Sequence, residues 1–272
     1  MRVTIPTRDA PIGVFDSGIG GLTVVSELMR QLPGEAIVYV GDTARVPYGP
    51  KSPETILRYS REIAAFLTGQ GVKAVVIACN TATAHALDAL RSELEVPVVG
   101  VVRPGARAAV AASSSGRIGV VGTSGTVRSG AYERAIRALR SDAVVFSHAC
   151  PLFVPLVEEG WTEHVAARLV AEEYLRPLAD AGIDTLVMGC THYPLLKPLL
   201  GDLLGPTVRL IDSAQETAAE VARTLREAGL DARGELPPVH RFLATDDADQ
   251  MLRLGQRFLG RAIDHVETLA LD

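Results

Sequence analysis

The sequence predicts an α/β protein of two pseudo-symmetric parallel-sheet domains with the active site in the cleft between them. Short β-branched runs alternate with longer amphipathic stretches, the pattern of parallel strands joined by crossover helices. The segment Ile12-Gly13-Val14-Phe15-Asp16-Ser17-Gly18 recurs in outline as Ile118-Gly119-Val120-Val121-Gly122-Thr123-Ser124-Gly125. Two cysteines occupy matching places, each ending an apolar run and opening a polar turn: Val-Ile-Ala-Cys79-Asn80-Thr81 and Val-Met-Gly-Cys190-Thr191-His192. One unit used twice, with one thiol in each copy, suits a reaction that is its own mirror image.

The elements follow in order. Strands are predicted at Ile12 to Phe15, Ile37 to Val40, Ala74 to Ala78 and Val96 to Val102. Between the second and third, Pro53 to Gly69 reads as a helix: Ile56, Tyr59, Ile63, Phe66 and Leu67 fall at helical spacing behind Ser52 as N-cap and Pro53 at the first helical position. The second copy has strands at Ile118 to Val121, Ala143 to Phe146, Thr185 to Met188 and Val208 to Ile211, with helices at Tyr132 to Arg140 and His164 to Ala181. A helix from Ala214 to Ala228, a Pro237-Pro238 break, a strand near Phe242 and a last helix and strand complete the chain. Residues 1–101 with 212–272 are read as one domain carrying Cys79, and 102–211 as a second carrying Cys190.

Composition removes several classes. A net charge of −5, with no lysine or arginine run, argues against a nucleic-acid ligand. No apolar stretch approaches the roughly 20 residues that span a bilayer, and Met1 to Pro11 lacks the apolar region of a signal peptide, so the expectation is a cytoplasmic protein. Three scattered cysteines, without a Cys-x-x-Cys or Cys/His spacing, argue against a disulfide framework and a metal site. Lysine occurs only at 51, 73 and 197, none in a setting that suggests a Schiff base, so a pyridoxal cofactor is not expected.

In open α/β sheets ligands gather at the carboxyl ends of strands, where backbone N–H groups serve anions. The polar residues cluster there: Asp16-Ser17-Gly18-Ile19-Gly20-Gly21, Gly41-Asp42 with Pro47-Tyr48-Gly49, Cys79-Asn80-Thr81, Thr123-Ser124-Gly125-Thr126 and Cys190-Thr191-His192. A small anionic or zwitterionic ligand fits such a set. The glycines after Asp16 do not make a dinucleotide fingerprint, since the third glycine would fall on Thr23. A lone cysteine at a strand end is commonly a small core residue; matched positions in two copies favour chemistry for Cys79 and Cys190, whereas Cys150 has no counterpart and reads as structural. His192 can bond core carbonyls or poise the Cys190 thiol. Asp16 can be a turn residue or an acid/base helper beside Cys79. Glu158 and Glu159 can be a solvated turn or part of the site. His85 and His164 read as helix surface or packing residues.

On these motifs the chain resembles the glutamate racemases of the aspartate/glutamate racemase superfamily. The likeness is carried by Pro11 to Gly21, by Gly41-Asp42-Thr43 with Pro47-Tyr48-Gly49, by Ala78-Cys79-Asn80-Thr81-Ala82 and by Gly189-Cys190-Thr191-His192-Tyr193-Pro194. The resemblance implies two α/β domains around the site, no cofactor, glutamate as substrate, a role in making D-glutamate for peptidoglycan, and a homodimer. It implies Cys79 and Cys190 as the catalytic pair with Asp16, His192 and Glu158, and substrate contacts from Asp16, Ser17, Tyr48, Gly49, Asn80, Thr81, Thr191 and His192. Ala244-Thr245-Asp246 departs from the family's usual threonine-glycine turn, at a place expected to lie far from the motifs. An aspartate racemase and a non-catalytic amino-acid sensor are the competing readings.

Overall fold

The computed structural model describes residues 7–232, 234 and 237–271; the first six residues of the stretch read above for a leader lie outside it. Its first half runs β1 (Ile12–Asp16), α1 (Leu22–Gln31), β2 (Ile37–Gly41), α2 (Pro53–Gly69), β3 (Ala74–Ile77), α3 (Asn80–Glu93), β4 (Val98–Gly100) and α4 (Val102–Ala112). The second continues with β5 (Arg117–Gly122), α5 (Ser124–Ser129), α6 (Ala131–Leu139), β6 (Val144–Ala149), α7 (Phe153–Glu158), α8 (Val165–Asp180), β7 (Thr185–Gly189), α9 (Lys197–Leu204) and β8 (Arg209–Asp212). The last part is α10 (Ser213–Glu227), β9 (Arg241–Ala244), α11 (Ala248–Leu259) and β10 (Glu267–Thr268).

Every strand pairing is parallel, in two sheets of order β10-β9-β2-β1-β3-β4 and β6-β5-β7-β8. With β5 to β8 set over β1 to β4, the two orders are the same, 2-1-3-4, which is the repeat seen in the sequence. In both sheets the chain reverses direction across the first strand, so β1/β3 and β5/β7 are topological switch points, where loops diverge and leave a crevice. Asp16 ends β1, Cys79 lies two residues after β3, Thr123 follows β5 and Cys190 follows β7. The central strands are buried along their whole length, which is why they read as continuous apolar runs.

Local chemistry explains the helix starts. Ser52 accepts from the Thr55 N–H at 3.3 Å and Pro53 opens α2. His164 accepts from the Ala166 N–H through Nδ1 and caps α8. The Val96 to Val102 strand is shorter than predicted, ending at Gly100. Val101 takes helical dihedrals and its N–H turns to the Thr83 hydroxyl instead of a neighbouring strand, so Val102 already belongs to α4. The Asn80-Thr81 turn is likewise the first turn of α3.

One apolar core joins the halves, running from Ile12, Val14 and Leu22 to Val121, Met188 and Leu200. Helix α10 packs against both α1 and α4, and β9 and β10 extend the first sheet beside β2. No helix among the described residues is long and apolar enough to cross a membrane. A buried ion pair ties the foot of the first sheet: Lys73 Nζ lies 2.5 Å from Glu35 Oε2 and donates to the Arg8 carbonyl, while Glu35 Oε1 accepts from the Ala232 N–H at 2.8 Å. Lys73→Met strands a carboxylate in the interior and is expected to cost about 3–5 kcal/mol in urea unfolding, most of it regained when Glu35→Leu is added.

Candidate active site

Loops from both sheets meet around a cavity of about 30 Å³. Cys79 and Cys190 both line it, together with Ser17, Tyr48, Gly49, Asn80, Thr81, Thr191 and His192; Val46, Pro47, Thr123 and Val154 complete the wall. Of the residues singled out from sequence, Asp16 and Glu158 stand behind this wall rather than in it. All three cysteines are free thiols, and Cys150 lies away from the cavity, its sulfur 3.8 Å from the His148 carbonyl oxygen.

The two thiols have different surroundings. Cys79 is the N-cap of α3: its Sγ accepts from the Ala82 N–H at 3.4 Å and lies 3.7 Å from Ser17 Oγ. A helix N-terminus favours a negative sulfur. Burial nevertheless dominates, and with the Asp16 charge it pushes the Cys79 thiol up to about 12 against the opposing bonds from Ala82 and Ser17. Asp16 is fully buried, and burial raises its carboxyl above the ordinary range; the His192 charge and the N–H groups of Gly21, Gly18 and Ser17 pull the other way. Its Oδ2 accepts from Gly21 N at 3.0 Å and Gly18 N at 3.3 Å.

Cys190 faces a histidine instead. His192 Nδ1 lies 3.9 Å from the Cys190 sulfur, and its Nε2 lies 2.9 Å from Glu158 Oε1. Of the two adjacent glutamates, Glu158 is the one that reaches the imidazole. Phe258 on α11 packs edge-on against the ring, with centroids 5.1 Å apart. Burial disfavours the imidazolium, but the hydrogen bonds and charges of Cys190 and Glu158 outweigh it and lift His192 to about 10. Gly20 makes this packing possible by close approach: a Cβ there would stand 2.4 Å from His192 Nδ1 and from Thr191 Oγ1.

Hydroxyl groups bridge the halves. Thr81 Oγ1 lies 2.8 Å from Thr123 Oγ1 and 3.1 Å from Thr126 Oγ1. Thr23 Oγ1 donates to the Thr191 carbonyl at 3.2 Å. The Tyr48 hydroxyl donates to buried Asp42, which also accepts from Arg45 Nε at 2.8 Å and from Thr245 Oγ1 at 2.9 Å. The Tyr48 hydroxyl proton is thereby committed to Asp42. The Thr245 contact corrects the expectation that the 244–246 turn lies far from the motifs: it buttresses the Tyr48 loop. Asp42, Thr123 and Thr126 stood within the quoted motifs but not among the proposed contacts; Phe258 had no signal beyond helical spacing.

The match to known proteins agrees with this geometry. The family profile described as Asp/Glu/Hydantoin racemase matches residues 12–221. The chain belongs to the Asp/Glu/hydantoin racemase family. This racemase is 52% identical over 261 residues to the glutamate racemase of Geobacter metallireducens, covering 96% of this chain and 97% of that one. Among solved structures, a glutamate racemase isoform from Bacillus anthracis superimposes with a TM-score of 0.94 at 44% identity, covering 97% of this chain and 98% of that one. The Francisella tularensis glutamate racemase, solved with D-glutamate, gives a TM-score of 0.91 at 39% identity, covering 97% and 99%.

The His192 shift has a readable consequence. Because the folded value lies above the unfolded one of about 6.5, the stability from the imidazolium is complete below that pH and is lost as pH rises through about 10. NMR titration should show His192 protonated at pH 8 and releasing its proton near pH 10. Glu158→Gln should lower that release by about one unit or more and flatten the fall in stability over the same range.

Proposed function

We propose that this racemase is a cofactor-independent glutamate racemase that interconverts L- and D-glutamate by two thiols and supplies D-glutamate for peptidoglycan. The observation that carries the reading is the placement of Cys79 and Cys190, from matching positions of the repeat, on one small cavity. In the L-to-D direction the Cys190 thiolate takes the Cα proton, the bonding pair passes into the carboxylate as a planar ene-diolate, and the Cys79 thiol delivers its proton to the opposite face. The reverse direction exchanges the two roles. A Cys79 held protonated by burial and by Asp16 suits the donor in the first direction. His192, supported by Glu158, holds an N–H against Cys190.

Charge that develops on the substrate carboxylate needs donors fixed in place beforehand. Asn80, Thr81, Thr191, Ser17 and the main chain at Gly49 stand around the cavity as that set. A space of about 30 Å³ holds about two waters, too little for an amino acid. We therefore read the two halves, with boundaries near 101 and 212, as parting to admit substrate and closing to expel water.

The test is proton NMR of the protein with L-glutamate in D₂O, without added cofactor, while circular dichroism follows the optical signal. Loss of the Cα–H signal with decay of the dichroism to zero is expected; exchange with aspartate alone would change the substrate, and exchange with neither would favour a sensor. Cys79→Ala and Cys190→Ala should each lower racemisation by about 10³-fold, whereas Cys150→Ala should turn over near normally per folded molecule. Full activity in either of the first two variants would sink the two-thiol scheme.

A further inference from the structure

Tyr132 lies in the first turn of α6, on the second-sheet side of the cleft, with 2% of its surface exposed. Its hydroxyl crosses to the other half and donates to Asn80 Oδ1 at 2.7 Å. Two glycines make room for it. A Cβ at Gly189, next to Cys190, would stand 3.0 Å from the Tyr132 ring, and one at Gly105 would stand 3.2 Å from its hydroxyl. Asn80 is itself 2% exposed and lines the cavity, yet among the described residues its Nδ2 has no hydrogen-bond partner. A buried amide donor left open is costly unless something arrives to fill it.

The chemistry of the amide connects these facts. Asn80 can present either its oxygen or its two N–H donors to the cavity, and the choice decides whether a carboxylate is attracted or repelled. With the Tyr132 hydroxyl bound to Oδ1, the two Nδ2 donors are left open to a ligand. We infer that Tyr132 is a positioning residue that turns the Asn80 amide so that Nδ2 grips a carboxylate oxygen of the substrate. The inference rests on the racemase reading for the identity of that substrate. Because donor and acceptor belong to opposite sides of the cleft, the amide is set only when the halves are together, which links its orientation to closure.

The experiment is a double-mutant cycle on the full chain with Tyr132→Phe, Asn80→Ala and the pair, reading KM and kcat for glutamate together with glutamate affinity by calorimetry. Tyr132→Phe should raise KM about tenfold with kcat within about threefold, since the grip is made before and during proton transfer. In the Asn80→Ala background the same change should have almost no effect. An equal loss in both backgrounds means that Tyr132 only packs α6, and overturns the inference. Asn80→Asp keeps an acceptor for Tyr132 but removes the Nδ2 donors; it should lose at least as much affinity as Asn80→Ala, and near-normal affinity would also overturn it. A wild-type protein that binds glutamate without racemising it would refute the racemase reading, and the affinity cycle would still decide the role of Tyr132. Failure to bind glutamate at all would refute both.

Discussion

The structure depends on a topological constraint: each sheet contains four strands in the order 2-1-3-4, so the chain must cross over its first strand and leave a crevice at the carboxyl ends of the first and third strands. Because the strands within each sheet are parallel, those ends lie on one edge of each sheet. Two such edges turned toward each other enclose a cavity whose walls are loops and helix N-termini. Small polar residues and one glycine make up six of the thirteen residues that line it, and Gly20 and Gly189 stand where a methyl group would collide with His192 or crowd the Tyr132 ring.

The repeat is symmetric in topology and asymmetric in electrostatics. Cys79 caps a helix, bonds Ser17 and sits beside a buried Asp16; Cys190 faces an imidazole backed by Glu158. A racemase handles two substrates that are mirror images of each other, within a protein that is itself chiral. Different supports for the two thiols are consistent with that: burial and a carboxylate on one side favour the protonated sulfur, and a cationic imidazole stands against the other. The halves also touch through polar contacts that each involve a residue lining the cavity, from Thr81 to Thr123 and Thr126, from Asn80 to Tyr132 and from Thr191 to Thr23. Hydrogen bonds between neutral groups are individually weak in net terms, in keeping with the closure proposed above.

Much of this was legible from residues alone. Periodicity and the recurrence of Ile12 to Gly18 at Ile118 to Gly125 were enough for the fold class, because buried parallel strands must be apolar along their length and crossover helices must be amphipathic. The paired Cys79 and Cys190 motifs were enough to locate the cavity, since the ends of the strands are local in sequence. The end of the fourth strand was missed because Val101 and Val102 are β-formers that the Thr83 hydroxyl and the start of α4 overrule.

What only the tertiary structure decided were contacts between segments far apart in the chain. Glu158 rather than Glu159 reaches His192, 34 residues on, because α7 presents that one side chain to the ring. Thr245 buttresses Asp42 and the Tyr48 loop from 203 residues away. Tyr132 was read only as the start of a helix, and its hydroxyl acquires meaning only when the second half lies over Asn80. Sequence patterns report which face of an element is buried; which partner lies across a cleft is set by how two sheets pack, and no local pattern encodes that.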